Sequence, residues 1–107
     1  MGTCPFTGIS NPTLLRASHI MPWAECIDNH QRLDGYNGLA LTPTYDTLFD
    51  LGLISFKNNG ELIISKRLSK DEITRLNLKG GKIYNIFNTD GKRDIYLSYH
   101  RDKYQHE

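Results

Sequence analysis

The stretch TPTYDTLFDLG, residues 42–52, carries the strongest local structural signal in the sequence. Thr42 suits a helix N-cap, Pro43 suits the first helical position, and Gly52 can end a helix in the left-handed conformation. The stretch therefore predicts a helix from about Pro43 to Leu51. A short apolar segment, GLAL, comes directly before it and predicts a strand.

The predicted helix carries two aspartates whose charges repel each other. Asp46 and Asp50 are four residues apart, so both side chains lie on one side of the helix. Their repulsion costs a few tenths of a kcal/mol, and the position of Asp50 at the negative end of the helix dipole adds about 0.3–1 kcal/mol. A positive group should compensate for these charges. A divalent cation and a basic side chain would both serve.

The segments around this helix predict a domain of the α+β class. A first strand is expected from Thr13 to Ile20, which places His19 at a strand end, and a second strand is expected from Gly38 to Leu41. The chain after residue 52 predicts a hairpin (Leu53–Lys57 and Glu61–Ser65), a helix that Ser69 and Glu72 cap (Lys70–Asn77), a strand (Ile83–Phe87) and a terminal helix (about Lys92–Tyr104).

Length and composition narrow the class of protein. The 107 residues suit one domain, and no stretch approaches the roughly 20 apolar residues of a membrane span. The start of the chain shows no secretory leader, so a soluble protein in the cytoplasm is expected. Cys4 and Cys26 are too few and too far apart for structural zinc, and both are expected to be reduced thiols in or near the core.

Charge is distributed unevenly along the chain. Residues 1–56 carry a balance of −3, whereas residues 57–107 carry +4. An acidic pocket beside a basic flank would suit a metal-dependent enzyme that acts on a polyanion. Solvated charges without such geometry explain this distribution equally well.

Three segments together resemble the HNH endonucleases: CPFTG (4–8), ASHIMPW (17–23) and RLDGYNGLALTPTYDTLFDLGLISF (32–56). The end of the chain, YLSYHRDKY (96–104), is also similar, so the resemblance extends over nearly all of 1–107. It implies a ββα-metal (His-Me finger) core at about 13–52, with an added β-hairpin and C-terminal helices in 53–107. The matching subgroup has H-N-D in place of H-N-H, as found in restriction-type nuclease domains.

The resemblance also implies roles for single residues. His19 matches the general base, and Asn37 matches the central asparagine that locks the loop or reaches the metal. Asp46 matches the metal ligand on the helix, and Asp50 matches a second ligand position used by some members. Ser18 stands where many relatives have an acidic or imidazole ligand. Carboxylate oxygens favour Mg²⁺ or Mn²⁺ as the single divalent cofactor.

Four other residues are candidates for contacts with substrate. Arg16 either holds a phosphate or forms a surface ion pair, and Trp23 either stacks on a base or packs in the loop. His100 and Arg101 either reach the substrate or pack in the terminal helix.

The function predicted from the sequence is metal-dependent hydrolysis of DNA, with contacts to the phosphate backbone and no membrane role. A separate sequence-recognition domain or a homodimer remains open as a partner, because no helix is rich in residues that read base edges. The alternative is a catalytically inactive nucleic-acid-binding or assembly module that retains the HNH fold. A third possibility, a purely structural domain, requires that basic side chains neutralise Asp46 and Asp50.

Overall fold

The structure is a computed structural model and describes residues 2–104. Helices and strands are mixed in one small α+β domain, as predicted. In chain order they are β1 (Arg16–His19), α1 (Asn29–Leu33), β2 (Gly38–Leu41), α2 (Pro43–Asp50), β3 (Ile54–Phe56), β4 (Leu62–Ile64), α3 (Lys70–Arg75) and α4 (Asp94–Lys103). None of the helices within this range is long and apolar enough to cross a membrane.

The first sheet consists of β1 and β2, which pair antiparallel with His19 opposite Gly38. The chain then enters α2 directly, and α2 packs against both strands. This helix matches its prediction, because it begins at Pro43 and Gly52 follows it with a φ of 71°. Thr42 behaves differently from a capping residue: its hydroxyl contacts the Cys4 thiol at 3.6 Å and caps no backbone N–H.

Strand β1 is shorter than the sequence predicts. The side chain of Asn11 accepts a hydrogen bond from the Thr13 N–H at 3.0 Å, and Pro12 follows as the first residue of a 3-10 turn. Residues 12–14 therefore form a 3-10 turn, and pairing with a neighbouring strand starts only at Arg16. The Asn11 side chain, and not a neighbouring strand, is thus the hydrogen-bond partner of the Thr13 N–H.

The second sheet is the antiparallel pair of β3 and β4, which lies where the alternating sequence around Asn59-Gly60 predicts a hairpin. All of β3 is buried, because the ring of Phe49 in α2 packs on Phe56 and α4 packs on the same strand. The core joins both sheets and includes the fully buried side chains Phe49, Phe56, Ile20, Leu41, Ile54 and Leu97. Cys4 and Cys26 are free and buried, as expected.

The later segments show one success and one error of prediction. Ser69 and Glu72 form the predicted capping box at the start of α3. The predicted strand at 83–87 is wrong, because Ile83 forms only an isolated bridge with Glu61. Asn85 accepts a hydrogen bond from the Phe87 N–H at 3.0 Å, and Phe87 has a φ of 54°, which ends any extended run.

Gly60 provides a test of the hairpin geometry. Its φ is 92°, and a Cβ added there would lie 2.1 Å from the carbonyl oxygen of Tyr84. We expect Gly60→Ala to lower the free energy of unfolding by about 3 kcal/mol or more, since a backbone atom must move in addition to the left-handed strain. Gly81→Ala is the control, because its φ is 79° and a Cβ there has open space. It should cost only about 1–2 kcal/mol in urea unfolding. Equal costs would contradict the described approach of Tyr84.

Candidate active site

His19 lies at the end of β1 with its side chain exposed to solvent. Strand alternation puts Ala17 and His19 on one face of the sheet, and Arg16 and Ser18 on the other. The residue across the ladder from His19 is Gly38, which has no side chain to cover the imidazole. Among the described residues the imidazole has no hydrogen-bond or ion-pair partner, so its nitrogens are available for chemistry.

Asn37 holds the chain that follows His19. Its side-chain oxygen accepts a hydrogen bond from the Met21 N–H at 2.7 Å, and its Nδ2 donates to the Met21 carbonyl at 3.0 Å and to the Gln31 carbonyl at 3.3 Å. The backbone carbonyl of Asn37 also accepts from the Ile20 N–H at 3.0 Å. Asn37 is fully buried. Of the two roles that the resemblance implies for Asn37, these hydrogen bonds support the loop lock.

A cavity of about 650 Å³ opens beside His19. Most of its lining is apolar. Its wall includes His19, Trp23, Arg32, Leu33, Phe87 and Arg93. Trp23 follows the strand in a 3-10 turn and is 55% exposed, so it packs neither in the core nor deep in the loop.

Arg93 fixes the far wall of this cavity. Its Nη1 donates to the carbonyls of Gly38 at 2.6 Å and Tyr36 at 2.9 Å, and its Nε donates to the Ile86 carbonyl at 2.8 Å. Burial lowers the pKa of this guanidinium, while Tyr36 and Asp34 oppose that effect. No sequence pattern predicts this role, since Arg93 lies outside every matching motif.

Asp34 and Tyr96 form a second link between α4 and the turn before β2. The Tyr96 hydroxyl donates to Asp34 Oδ2 at 2.7 Å, and Oδ1 accepts from the Tyr36 N–H at 2.9 Å. Burial raises the pKa of Asp34, but these hydrogen bonds, with attraction to basic neighbours, hold the pKa below its usual value. Burial and the same hydrogen bond raise the pKa of Tyr96 to about 12.

Asp46 and Asp50 lie on the side of α2, half-buried and exposed respectively. Neither residue belongs to the lining of the cavity beside His19. The ion pairs found within residues 2–104 are Lys57–Glu61, Arg75–Asp71 and Lys103–Glu25. No described basic side chain therefore neutralises the two aspartates, although a purely structural role requires it.

Ser18 is 5% exposed and lies on the sheet face opposite His19. Its hydroxyl forms no hydrogen bond with another described side chain. Across residues 2–104, no three side chains of the His, Cys, Asp and Glu types cluster as a metal site would require.

The structure corrects the prediction that His100 and Arg101 bind substrate. His100 is buried, with its ring nitrogens 2.7 Å from the Ser55 hydroxyl and 2.8 Å from the Phe49 carbonyl, and its ring stacks on Phe49. Arg101 donates to the Phe56 carbonyl at 2.9 Å and to Asn58. Both residues fasten α4 to the core.

Arg16 is also separated from the cavity. It begins β1, at the opposite end of the strand from His19, and it does not line the cavity. Its side chain is exposed and donates only to the neighbouring Leu15 carbonyl at 3.4 Å. A contact with a phosphate remains a prediction for this residue, at a distance from the imidazole along the strand.

Replacing Asn37 tests the lock around Met21. We expect Asn37→Ala to lower the free energy of unfolding by about 2–4 kcal/mol, because it leaves the buried Met21 N–H without a partner and the Met21 carbonyl with only the Cys26 thiol at 3.7 Å. Asn59→Ala is the control, since Asn59 is exposed and makes one turn hydrogen bond to the Glu61 N–H. It should cost about 1 kcal/mol or less in the same urea titration. Similar losses would show that the lock contributes little.

The Asp34–Tyr96 link predicts a dependence of stability on alkaline pH. The pKa of Tyr96 is about 12 in the fold against an ordinary value of 10.0, so its stabilisation is complete below pH 10 and is lost as the pH rises through 12. Wild type should exceed Tyr96→Phe in unfolding free energy by about 1–3 kcal/mol at pH 8, and this gap should close towards pH 12. A gap that stays constant over this range would contradict the assignment.

Comparison with known families identifies the chain. A family model described as HNH endonuclease matches residues 4–57, which is just over half of the 107 residues. The matched range contains His19, Asn37 and both α2 aspartates. No curated protein matches the chain. The match confirms the resemblance seen in the sequence: the chain belongs to the HNH endonuclease family.

Proposed function

We propose that this chain is a metal-dependent endonuclease that hydrolyses DNA phosphodiester bonds through a ββα-metal site of the H-N-D type. The observation that carries the proposal is the state of His19. In a chain of the HNH endonuclease family, this imidazole is exposed beside a cavity, unpartnered among the described residues, and backed by the Asn37 lock. These are the conditions that a general base requires.

In this proposal His19 takes a proton from a water molecule. The water oxygen attacks the phosphorus, the bond to the 3′ oxygen breaks, and the leaving oxygen takes a proton from solvent. The products are a 5′ phosphate and a 3′ hydroxyl. Imidazole suits this step because it exchanges protons near neutral pH. Asn37 contributes by fixing residues 20 and 21, and hence the direction in which β1 presents His19.

The donor set on α2 fits a hard divalent cation. HNH nucleases generally use such a metal, and Asp46 and Asp50 offer carboxylate oxygens whose charge no described basic side chain neutralises. Oxygen ligands favour Mg²⁺ or Mn²⁺ over Zn²⁺. We propose that Asp46, assisted by Asp50, holds the ion; Ser18 stays a predicted ligand, although its side chain lies on the sheet face opposite His19. When bound, the ion would polarise the phosphate and stabilise charge on the leaving oxygen.

A second function is favoured by Ser18. A neutral hydroxyl is a weak ligand, and a site of this kind suits a module that binds nucleic acid, or assembles with other chains, without cutting. The two functions share the family fold and differ in the need for His19 and for metal. A recognition domain or a second copy would then supply sequence preference in either case.

Plasmid cleavage separates the two functions. We expect nicking with Mg²⁺ or Mn²⁺, none with chelator, and a loss of about 10²–10⁴-fold in rate for His19→Ala. His30→Ala is the matched control, since His30 is also an exposed histidine but lies on α1 outside the cavity. Nicking at the same rate by His19→Ala and wild type would remove the proposed mechanism. Binding without cleavage under every divalent ion would support the inactive module.

The metal ligand is tested by Asp46→Asn, with Asp102→Asn on α4 as the control. The exposed Asp102 is a carboxylate in a helix outside the matched range. Asp46→Asn should raise the Mg²⁺ concentration needed for half-maximal rate by about tenfold or more, while Asp102→Asn should leave it unchanged. An unchanged requirement in Asp46→Asn would move the ion away from α2.

A further inference from the structure

The cavity beside His19 has a chemistry that contact with a duplex backbone does not need. Phosphate tracking calls for basic and polar groups, whereas most of this wall is apolar. Trp23, Leu33 and Phe87 lie in it and are 55%, 76% and 48% exposed. The cavity of about 650 Å³ lies in the range of about 300–1,000 Å³ that small-ligand sites occupy.

Phe87 is held in an unfavourable conformation at this wall. Its φ of 54° lies in the left-handed region, which bulky residues seldom adopt. Because the ring is about half exposed, core packing does not account for an aromatic residue at this position. Strained residues of this kind are concentrated at functional sites. An exposed aromatic face beside the proposed base is the property that this strain preserves.

Two arginines give the wall positive charge. Arg32 lies over the Trp23 ring at 5.9 Å and donates to the Trp23 carbonyl at 3.2 Å, which fixes the indole. Arg93 uses Nε and Nη1 for backbone carbonyls, and its Nη2 has no hydrogen-bond partner among the described residues. No buried side-chain nitrogen in that range lacks a partner, so this Nη2 reaches solvent. A rigid cation with free donors is suited to a phosphate.

We propose that this cavity binds one unpaired nucleobase of the substrate, stacked on Trp23 and Phe87, with the neighbouring phosphate on Arg93. The proposal rests on the proposed function, because that function makes a nucleic acid the ligand. An apolar aromatic wall next to fixed guanidinium groups matches the two parts of a nucleotide, the flat base and the anionic phosphate. The preferred substrate is then single-stranded or locally melted, since a base inside a duplex cannot enter.

Trp23 supplies a direct readout, because it is the only tryptophan in the chain. Its fluorescence is titrated without metal against a short single-stranded DNA, the same sequence as a duplex, and a single strand that carries abasic sites. We expect quenching by the single strand, with the duplex and the abasic strand at least tenfold weaker. Equal quenching by the abasic strand would show that only the backbone is bound and would overturn the proposal.

Phe87→Asn tests the stacking surface without endangering the fold. Asparagine tolerates the left-handed region better than phenylalanine does, so the melting temperature should stay the same or rise. Affinity for the single strand should fall by roughly five- to a hundredfold, the value of one base stack. Ile95→Asn is the control, since Ile95 is equally exposed on α4 and does not line the cavity. Wild-type affinity in Phe87→Asn would overturn the proposal.

The metal-free titration also separates this inference from the nuclease proposal. If the protein binds the single strand through Phe87 but never cuts DNA, the base-binding site is supported and the nuclease proposal is contradicted. If the protein cuts duplex and single strand equally, with no change in Trp23 fluorescence, the nuclease proposal is supported and the base-binding site is contradicted. A concentration-dependent dimer that Phe87→Asn dissociates would assign the cavity to a second copy of the chain and would also overturn the proposal.

Discussion

The arrangement around His19 depends on one buried amide. The Asn37 side chain forms hydrogen bonds with both the N–H and the carbonyl of Met21. These two bonds replace those of a neighbouring strand at the point where β1 has ended. The connection from β1 to β2 is irregular apart from the five-residue α1 and short turns. Without this side chain, the buried N–H of Met21 would lack a hydrogen-bond partner. The direction in which β1 presents the imidazole thus depends on a side chain that is fully buried.

The residues outside the family match complete this arrangement. Arg93 and Tyr96, both from the last fifth of the chain, bind the turn at residues 34–38 from the other side. Asn37 therefore lies between two sets of hydrogen bonds: its own bonds to Met21 at the strand end, and the bonds of Arg93 and Tyr96 to the turn. Arg93 donates to backbone carbonyls of this turn, and Asp34 accepts from the Tyr96 hydroxyl and the Tyr36 N–H. These charged groups are therefore hydrogen-bonded beside a cavity wall that is otherwise largely apolar.

Much of the fold was predictable because local chemistry decided it. Pro43 and Gly52 bound α2 through backbone preferences that act within a few residues, and Ser69 with Glu72 did the same for α3. The errors arose where a nearby side chain competed with the sheet. Asn11 drew residues 12–14 into a turn, and Asn85 with the left-handed Phe87 removed a strand. An asparagine side chain can bond to the nearby backbone and so replace sheet pairing, and hydrophobic periodicity alone does not show where this happens.

The site was predictable only where the family motif extends. The motif named His19 and Asn37, but the cavity, Phe87 and Arg93 depend on contacts between residues more than fifty positions apart, which no local pattern encodes. For His100 the sequence left contact with substrate and packing both open, and the stacking of its ring on Phe49 favours packing.

The bracing of the turn by α4 sets a lower limit on what can be moved as a working module. An excised fragment that ends with the family match at residue 57 would carry His19 and both aspartates, yet it would leave behind the guanidinium on Gly38 and the imidazole stacked on Phe49. Transplanting this unit onto another recognition domain therefore calls for a fusion joint beyond Lys103, after the last turn of the terminal helix.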